Sequence, residues 1–160
     1  MESIQVSVGC LKKDLSWEAT NLNEIDFQHP LSPLQIHLVD FDLDSRISLD
    51  GQLLPSDVEI FTDGSKLDGE AGCTFCAFED ITQIYQWTAK IQPFNLVFQA
   101  ELLALNKAAE WTNPNRILGT IWSDSKSSLQ ELSSFHSRLK VVQDTQFESL
   151  KNPLSKIRLR

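Results

Sequence analysis

Three carboxylates in this sequence are spaced so that they could act together: Asp63 in "IFTDGS", Glu101 in "VFQAELLALNKAAEW" and Asp124 in "IWSDS". Wound at about 100° per residue, the second stretch gathers Val97, Ala104, Leu105 and Ala108 on one arc and Gln99, Asn106 and Glu110 on the opposite one. Glu101 falls in the middle of the apolar arc. A carboxylate moved there from water costs on the order of several kcal/mol unless it is paired, hydrogen-bonded or bound to a metal. A tilted helix would let Glu101 escape at its edge; a buried one needs company for it. Acids crowded together repel, so they persist as charged groups only around a cation. An all-oxygen donor set favours Mg²⁺ or Mn²⁺, and the sequence has no His or Cys cluster that argues for zinc. Magnesium held by a few carboxylates keeps positions open for water and phosphate oxygens, the equipment of phosphodiester hydrolysis.

The surrounding pattern says how such residues would be brought together. "VEIFTD" alternates and is rich in strand formers, which predicts a strand over Val58 to Asp63. An Asp-Gly turn signal in "SKLDGEAG" leads into a second strand, "CTFCAFE", and "ED" turns the chain into a third, "ITQIYQWTAK". These three are expected to form an antiparallel meander. A helix follows from about Leu96 to Trp111, stopped by Asn113 and Pro114. "RILGTIWSD" reads as a fourth strand, "SDSKSSLQEL" as a helix capped by Ser or Asp, and "SRLKVVQDTQFESL" as another helix carrying Leu139, Val142, Phe147 and Leu150. "LSKIRLR" looks like the beginning of a further strand. A strand, helix, strand crossover of this length makes the first and fourth strands parallel, with helices over a mixed α/β sheet. Asp63 and Asp124 then sit at neighbouring carboxyl ends, where open α/β sheets bind ligands, and the connecting helix carries Glu101 towards them.

A chain of 160 residues with 41% hydrophobic residues can bury one core. Its net charge of −8 is unevenly spread: residues 1–56 hold 9 acidic and 3 basic side chains, whereas residues 126–160 hold 7 basic and 3 acidic ones. Acidity overall disfavours tight nonspecific nucleic-acid binding, and the basic end keeps it open. Residues 1–55, with Pro30, Pro33, Pro55 and scattered acids, read as an acidic connector or tail, and residues 56–160 as the folded domain. The amino terminus lacks the apolar core of a signal peptide and no stretch reaches membrane-span length, so the expectation is a soluble intracellular chain, cytoplasmic or nuclear, with no membrane partner. Three cysteines do not make a disulfide framework. Cys73 and Cys76 form a C-x-x-C on an expected strand, where residues three apart face opposite sides, so they read as separate thiols.

"IFTDGSK", "FQAELLAL" and "IWSDSKSSLQEL", in that order, resemble the type 1 ribonuclease H domain, in wording nearest the version carried by non-LTR retrotransposon polyproteins with their reverse transcriptase. The resemblance runs from Val58 to Arg160, about two-thirds of the chain. The order matters, because transposase and integrase cores place two Asp before the Glu, whereas Glu101 here lies between Asp63 and Asp124. The resemblance implies three antiparallel strands followed by parallel ones, and an endonuclease that cuts the RNA strand of an RNA·DNA hybrid. It makes Asp63, Glu101 and Asp124 the catalytic and metal-binding acids. Two ions roughly 3.5 to 4 Å apart would activate the attacking water and stabilise the departing 3′ oxygen. RNA would be distinguished through 2′ hydroxyls in the shallow minor groove, with Gly64 and Ser65 offering backbone amides there or simply making a turn.

The family pattern continues with a tryptophan-valine start, a loop histidine and a final helix bearing a fourth carboxylate, whereas this sequence stops at "KIRLR". His136 and Asp144 match neither of those groups. The expectation is therefore a partial last strand, no final helix, and association through an uncovered sheet edge. Two functions follow from different classes: a weak or lost hybrid endonuclease dependent on Mg²⁺ or Mn²⁺, or an inactive retroelement remnant that binds nucleic acid through residues such as Lys126, Arg138 and Lys140.

Overall fold

The computed structural model describes residues 15–17, 20–22, 42–50, 55–92 and 95–160. Near the amino end, β1 (Leu15–Trp17) and β2 (Thr20–Leu22) form a small antiparallel ladder. The main sheet has six strands in the order β3-β8-β7-β4-β5-β6. Its antiparallel half is a meander of β4 (Val58–Leu67), β5 (Glu70–Glu79) and β6 (Thr82–Ile91). Asp68 and Gly69 both take positive φ, 51° and 82°, the turn whose twist suits a two-residue hairpin. That turn holds the ladder out to its tip, pairing Leu67 with Glu70, so β4 runs four residues past the expected end at Asp63. Alternation decides which face is buried: Val58, Ile60, Thr62 and Gly64 on β4, and Ala71, Cys73, Phe75 and Ala77 on β5.

The parallel half begins with helix α1 (Val97–Thr112), which crosses from β6 to β7 (Gly119–Ser123) and makes β7 a parallel neighbour of β4. Leu96 caps α1, and its N–H donates to Gln99 Oε1 at 2.8 Å. Short α2 (Lys126–Leu132) and α3 (Lys140–Lys151) follow, and β8 (Lys156–Leu159) pairs parallel with β7. Ile60, Phe75, Leu102, Leu105, Ile121 and Leu129 belong to one continuous core with Ile157.

Two helical patterns differ from the expectation for one physical reason: α1 lies against both the sheet and α3. Asn106, on the expected polar arc, is therefore buried, while Val97 at the helix start is exposed. On α3 the buried stripe is Val142, Thr145, Gln146 and Ser149, and the apolar Phe147 and Leu150 are half-buried. Gln146 compensates for its burial by donating from Nε2 to the carbonyls of Leu132 (2.8 Å) and Ser134 (2.9 Å).

The largest departure concerns the segment read as a connector. Residues 42–50 join the sheet: β3 (Ile47–Ser48) lies parallel to β8, with Ile47 opposite Ile157 and Ser48 opposite Arg158. Leu43 and Ile47 enter the core. The attachment is made by backbone and side chains together. Ile157 N–H donates to Arg46 O at 2.8 Å, Lys156 Nζ to Ser45 O at 2.8 Å, and Arg158 Nη1 pairs with Asp50 Oδ1 at 2.8 Å. The β8 edge expected to be open thus carries a strand from the amino-terminal side. The other calls on residues 1–41 lie outside the described residues apart from the β1–β2 ladder.

Candidate active site at the strand ends

The site is built on the paired carboxyl ends of β4 and β7. Phe61 is the partner of Trp122 in the parallel ladder, and Asp63 and Asp124 each lie two residues further on. They therefore stand at one level on adjacent strands, whose axes are roughly 4.8 Å apart. Thr62 Oγ1 donates across the pair to Trp122 O at 3.0 Å, and Trp122 Nε1 donates to the Glu59 carboxylate, so the two strands are fastened just below the acids. Both Asp63 and Asp124 are exposed. Beyond Asp124 the chain turns into α2, with Ser125 as its cap and Lys126 N–H donating to Asp124 O at 3.1 Å.

Glu101 reaches this place because α1 lies almost on the backbone of β4. A Cβ at Gly64 would fall 2.6 Å from the Glu101 nitrogen and 2.9 Å from the Ala100 carbonyl carbon, so only glycine permits the approach. Glu101, in the second turn of α1, is 5% exposed and its Oε2 has no hydrogen-bond partner. Burial pushes its pKa from 4.5 up to about 7, a backbone hydrogen bond from Gly64 pulls the other way, and the charges of Asp124 and Asp63 add to the rise. Glu101 thus senses the charges of both aspartates. Cys73, paired with Gly64 in the ladder, is buried, and burial followed by the Glu101 charge pushes its thiol up to about 12. It stays neutral, so among the described residues the charges that act on Glu101 are those of Asp124 and Asp63.

As the side chains stand, no group of three His, Cys, Asp or Glu residues is gathered tightly enough to hold a metal ion among the described residues. The buried, unpartnered Glu101 oxygen and the all-carboxylate set nevertheless fit a hard divalent cation in donor chemistry. Ser65 and Lys126 are exposed, each two residues past an acid in the chain, whereas Gly64 is buried and acts by admitting the helix. His136 is exposed after α2, and Asp144 pairs with Lys140 at 2.6 Å within α3. Cys76, half-buried, faces away from Cys73 as the strand alternation requires. Arg160, unremarked in the sequence, comes to the strand ends: its N–H donates to Ser123 O at 2.9 Å and its guanidinium lies over the Phe61 ring. The signal for it is a register across three strands, which one sequence does not display.

No protein-family model and no curated protein sequence matches the chain. Solved structures do. The chain is similar to the protease-reverse transcriptase of prototype foamy virus (TM-score 0.58, 15% identity), over 71% of this chain and 19% of that one. It is also similar to a foamy viral protease-reverse transcriptase solved in complex with an RNA/DNA hybrid (TM-score 0.56, 17% identity, 69% of this chain and 18% of that one). A third is the N-terminal RNase H domain of a Mycobacterium tuberculosis protein, solved as a fusion with maltose-binding protein (TM-score 0.54, 18% identity, 64% of this chain and 86% of that one). The chain spans about a fifth of the length of the foamy-virus proteins. With three antiparallel strands, parallel strands beyond them and helices packed on the sheet, this chain has the ribonuclease H-like fold.

Proposed function

We propose that the chain is a divalent-metal-dependent endonuclease, using Mg²⁺ or Mn²⁺, that hydrolyses the RNA strand of RNA·DNA hybrids and derives from a retroelement polyprotein. The observation that carries this reading is Glu101: a buried carboxylate with an unpartnered oxygen, placed by Gly64 where it feels both Asp63 and Asp124. A bound cation would supply activation of water and neutralisation of charge at the scissile phosphate. Asp63 and Asp124, exposed at the carboxyl ends of two central strands, are accessible to solvent and to a phosphodiester, while Glu101 is buried on α1. Removing Glu101 from water leaves it better satisfied by a cation than by its present surroundings. The fold shared with a protein solved on an RNA/DNA hybrid supports the substrate class.

A second reading, a nucleic-acid-binding remnant without activity, is favoured by the acids' not being drawn together as they stand. Incubation of the purified chain with an end-labelled RNA·DNA hybrid, in Mg²⁺, in Mn²⁺ and in chelator, separates the two. Metal-dependent cutting of the RNA strand, lost in Glu101→Gln and in Asp124→Asn, is the expected result. A folded sample that binds hybrid but cuts nothing at any metal concentration establishes the second reading instead.

A further inference from the structure

We propose that Arg160 is a phosphate-binding residue of this site, gripping a non-scissile backbone phosphate of the bound strand; this rests on the nucleic-acid reading above. The carboxylates of this site repel a polyanion, so a nucleic acid approaching them needs cations beside them. Most described cations near the sheet are already committed. Lys90 pairs with Glu70, Lys140 with Asp144, Lys151 with Glu148, and Arg158 with Asp50. Lys156 and Lys66 donate to backbone carbonyls. Arg160 is exposed and makes none of the ion pairs found among the described residues.

Its position is fixed twice. Leu159 pairs with Ser123, and the Arg160 N–H donates to Ser123 O at 2.9 Å, which sets Arg160 beside Asp124. Its side chain then crosses the end of β7, bringing the guanidinium carbon 5.2 Å from the Phe61 ring centroid on β4. Phe61 is itself held edge-on by Phe78, with centroids 5.9 Å apart and planes at 70°. Phe61 and Asp63 lie on the same face of β4, one pleat repeat of roughly 7 Å apart. The cation is thus carried across both strand ends, next to the acid row.

The ring contact also bears on what the guanidinium can do. A ring 5.2 Å from the guanidinium carbon attracts the cation without supplying an acceptor oxygen, so its N–H donors remain for another partner. Those donors form the fork that matches two non-bridging phosphate oxygens, which an ammonium group does not. Arg160 is accordingly a substrate-binding residue, separate from the acids that carry the chemistry.

The test is binding of a short fluorescein-labelled RNA·DNA hybrid by anisotropy, with Ca²⁺ in place of the catalytic metal, from about 0.05 to 0.2 M salt. Arg160→Gln is expected to weaken binding about tenfold and to reduce the slope of log affinity on log salt by about one. Arg160→Lys should restore the slope while leaving binding a few-fold weaker, since it returns the charge without the fork. In cleavage assays Arg160→Gln should raise KM and leave kcat within about twofold. Parent-like affinity and slope in Arg160→Gln overturn the assignment and leave the nuclease reading intact. A parent chain that binds no hybrid overturns both. A slope that falls equally in Arg160→Lys and Arg160→Gln also overturns it, because loss of charge is then not the cause.

Discussion

Replacing Glu101 by Gln removes a charge and almost nothing else, so it isolates the energetic cost of the site. In the folded chain the carboxyl titrates at about 7 instead of 4.5, chiefly because burial penalises its charged form. At about 1.4 kcal/mol per pH unit, holding it ionised costs the fold about 3 kcal/mol. The sign follows from proton uptake. Between pH 4.5 and 7 the folded state keeps the proton that the unfolded state has lost, so this stabilisation is complete below pH 4.5 and disappears as pH rises through 7. Glu101→Gln should therefore match the parent at pH 4.5 and exceed it above pH 7 by as much as about 3 kcal/mol, or roughly 6 to 12 °C in Tm for a chain of this size. Melts of both proteins in chelator from pH 4.5 to 8, plotted as their difference, cancel the titrations they share. Added Mg²⁺ or Mn²⁺ should then narrow the gap by stabilising the parent more than the variant. A difference that is flat with pH, or a Gln variant several kcal/mol less stable at pH 8, would refute the reasoning by showing that the carboxylate has a structural partner.

The remaining predictions concern how the site is positioned. Gly64→Ala places a methyl group 2.6 Å from the Glu101 nitrogen, so urea melts should show a loss of at least about 2 kcal/mol, with hybrid cutting reduced as α1 is pushed off β4. Ile47→Ala removes a buried side chain that pairs across from Ile157 and should cost about 2 to 4 kcal/mol; unchanged stability would mean that β3 does not belong to the folded unit.

The meander was legible because its signals are local: alternation from Val58, an Asp-Gly pair at the turn, and a strand-like run from Cys73 to Glu79, which in the structure begins three residues earlier at Glu70. Glu101 was legible for the same reason, since one helical wheel exposes a carboxylate in an apolar arc. Asn106 was misplaced because the wheel assumes a single buried face, and α1 has two neighbours. Strand β3 escaped notice because two paired residues carry no period of their own, and their partner in β8 lies some 110 positions away. Gly64 was read as a possible substrate contact; its closeness to Ala100 and Glu101 is a property of packing that a strand-end turn motif does not display. Arg160 depends on a row running from β4 through β7 to β8, so it too became visible only with the register.

The parallel pairing of Ile47 with Ile157 also shapes how the chain reaches this fold. During synthesis β3 emerges among the earliest parts of the sheet, yet its place does not exist until β8 has been made and has docked on β7. The contact joins residues about 110 positions apart in sequence, and contacts of such long sequence separation slow folding. Leu43 and Ile47 must therefore wait for their partners while the intervening residues are made, and a strand made much later decides when β3 can settle.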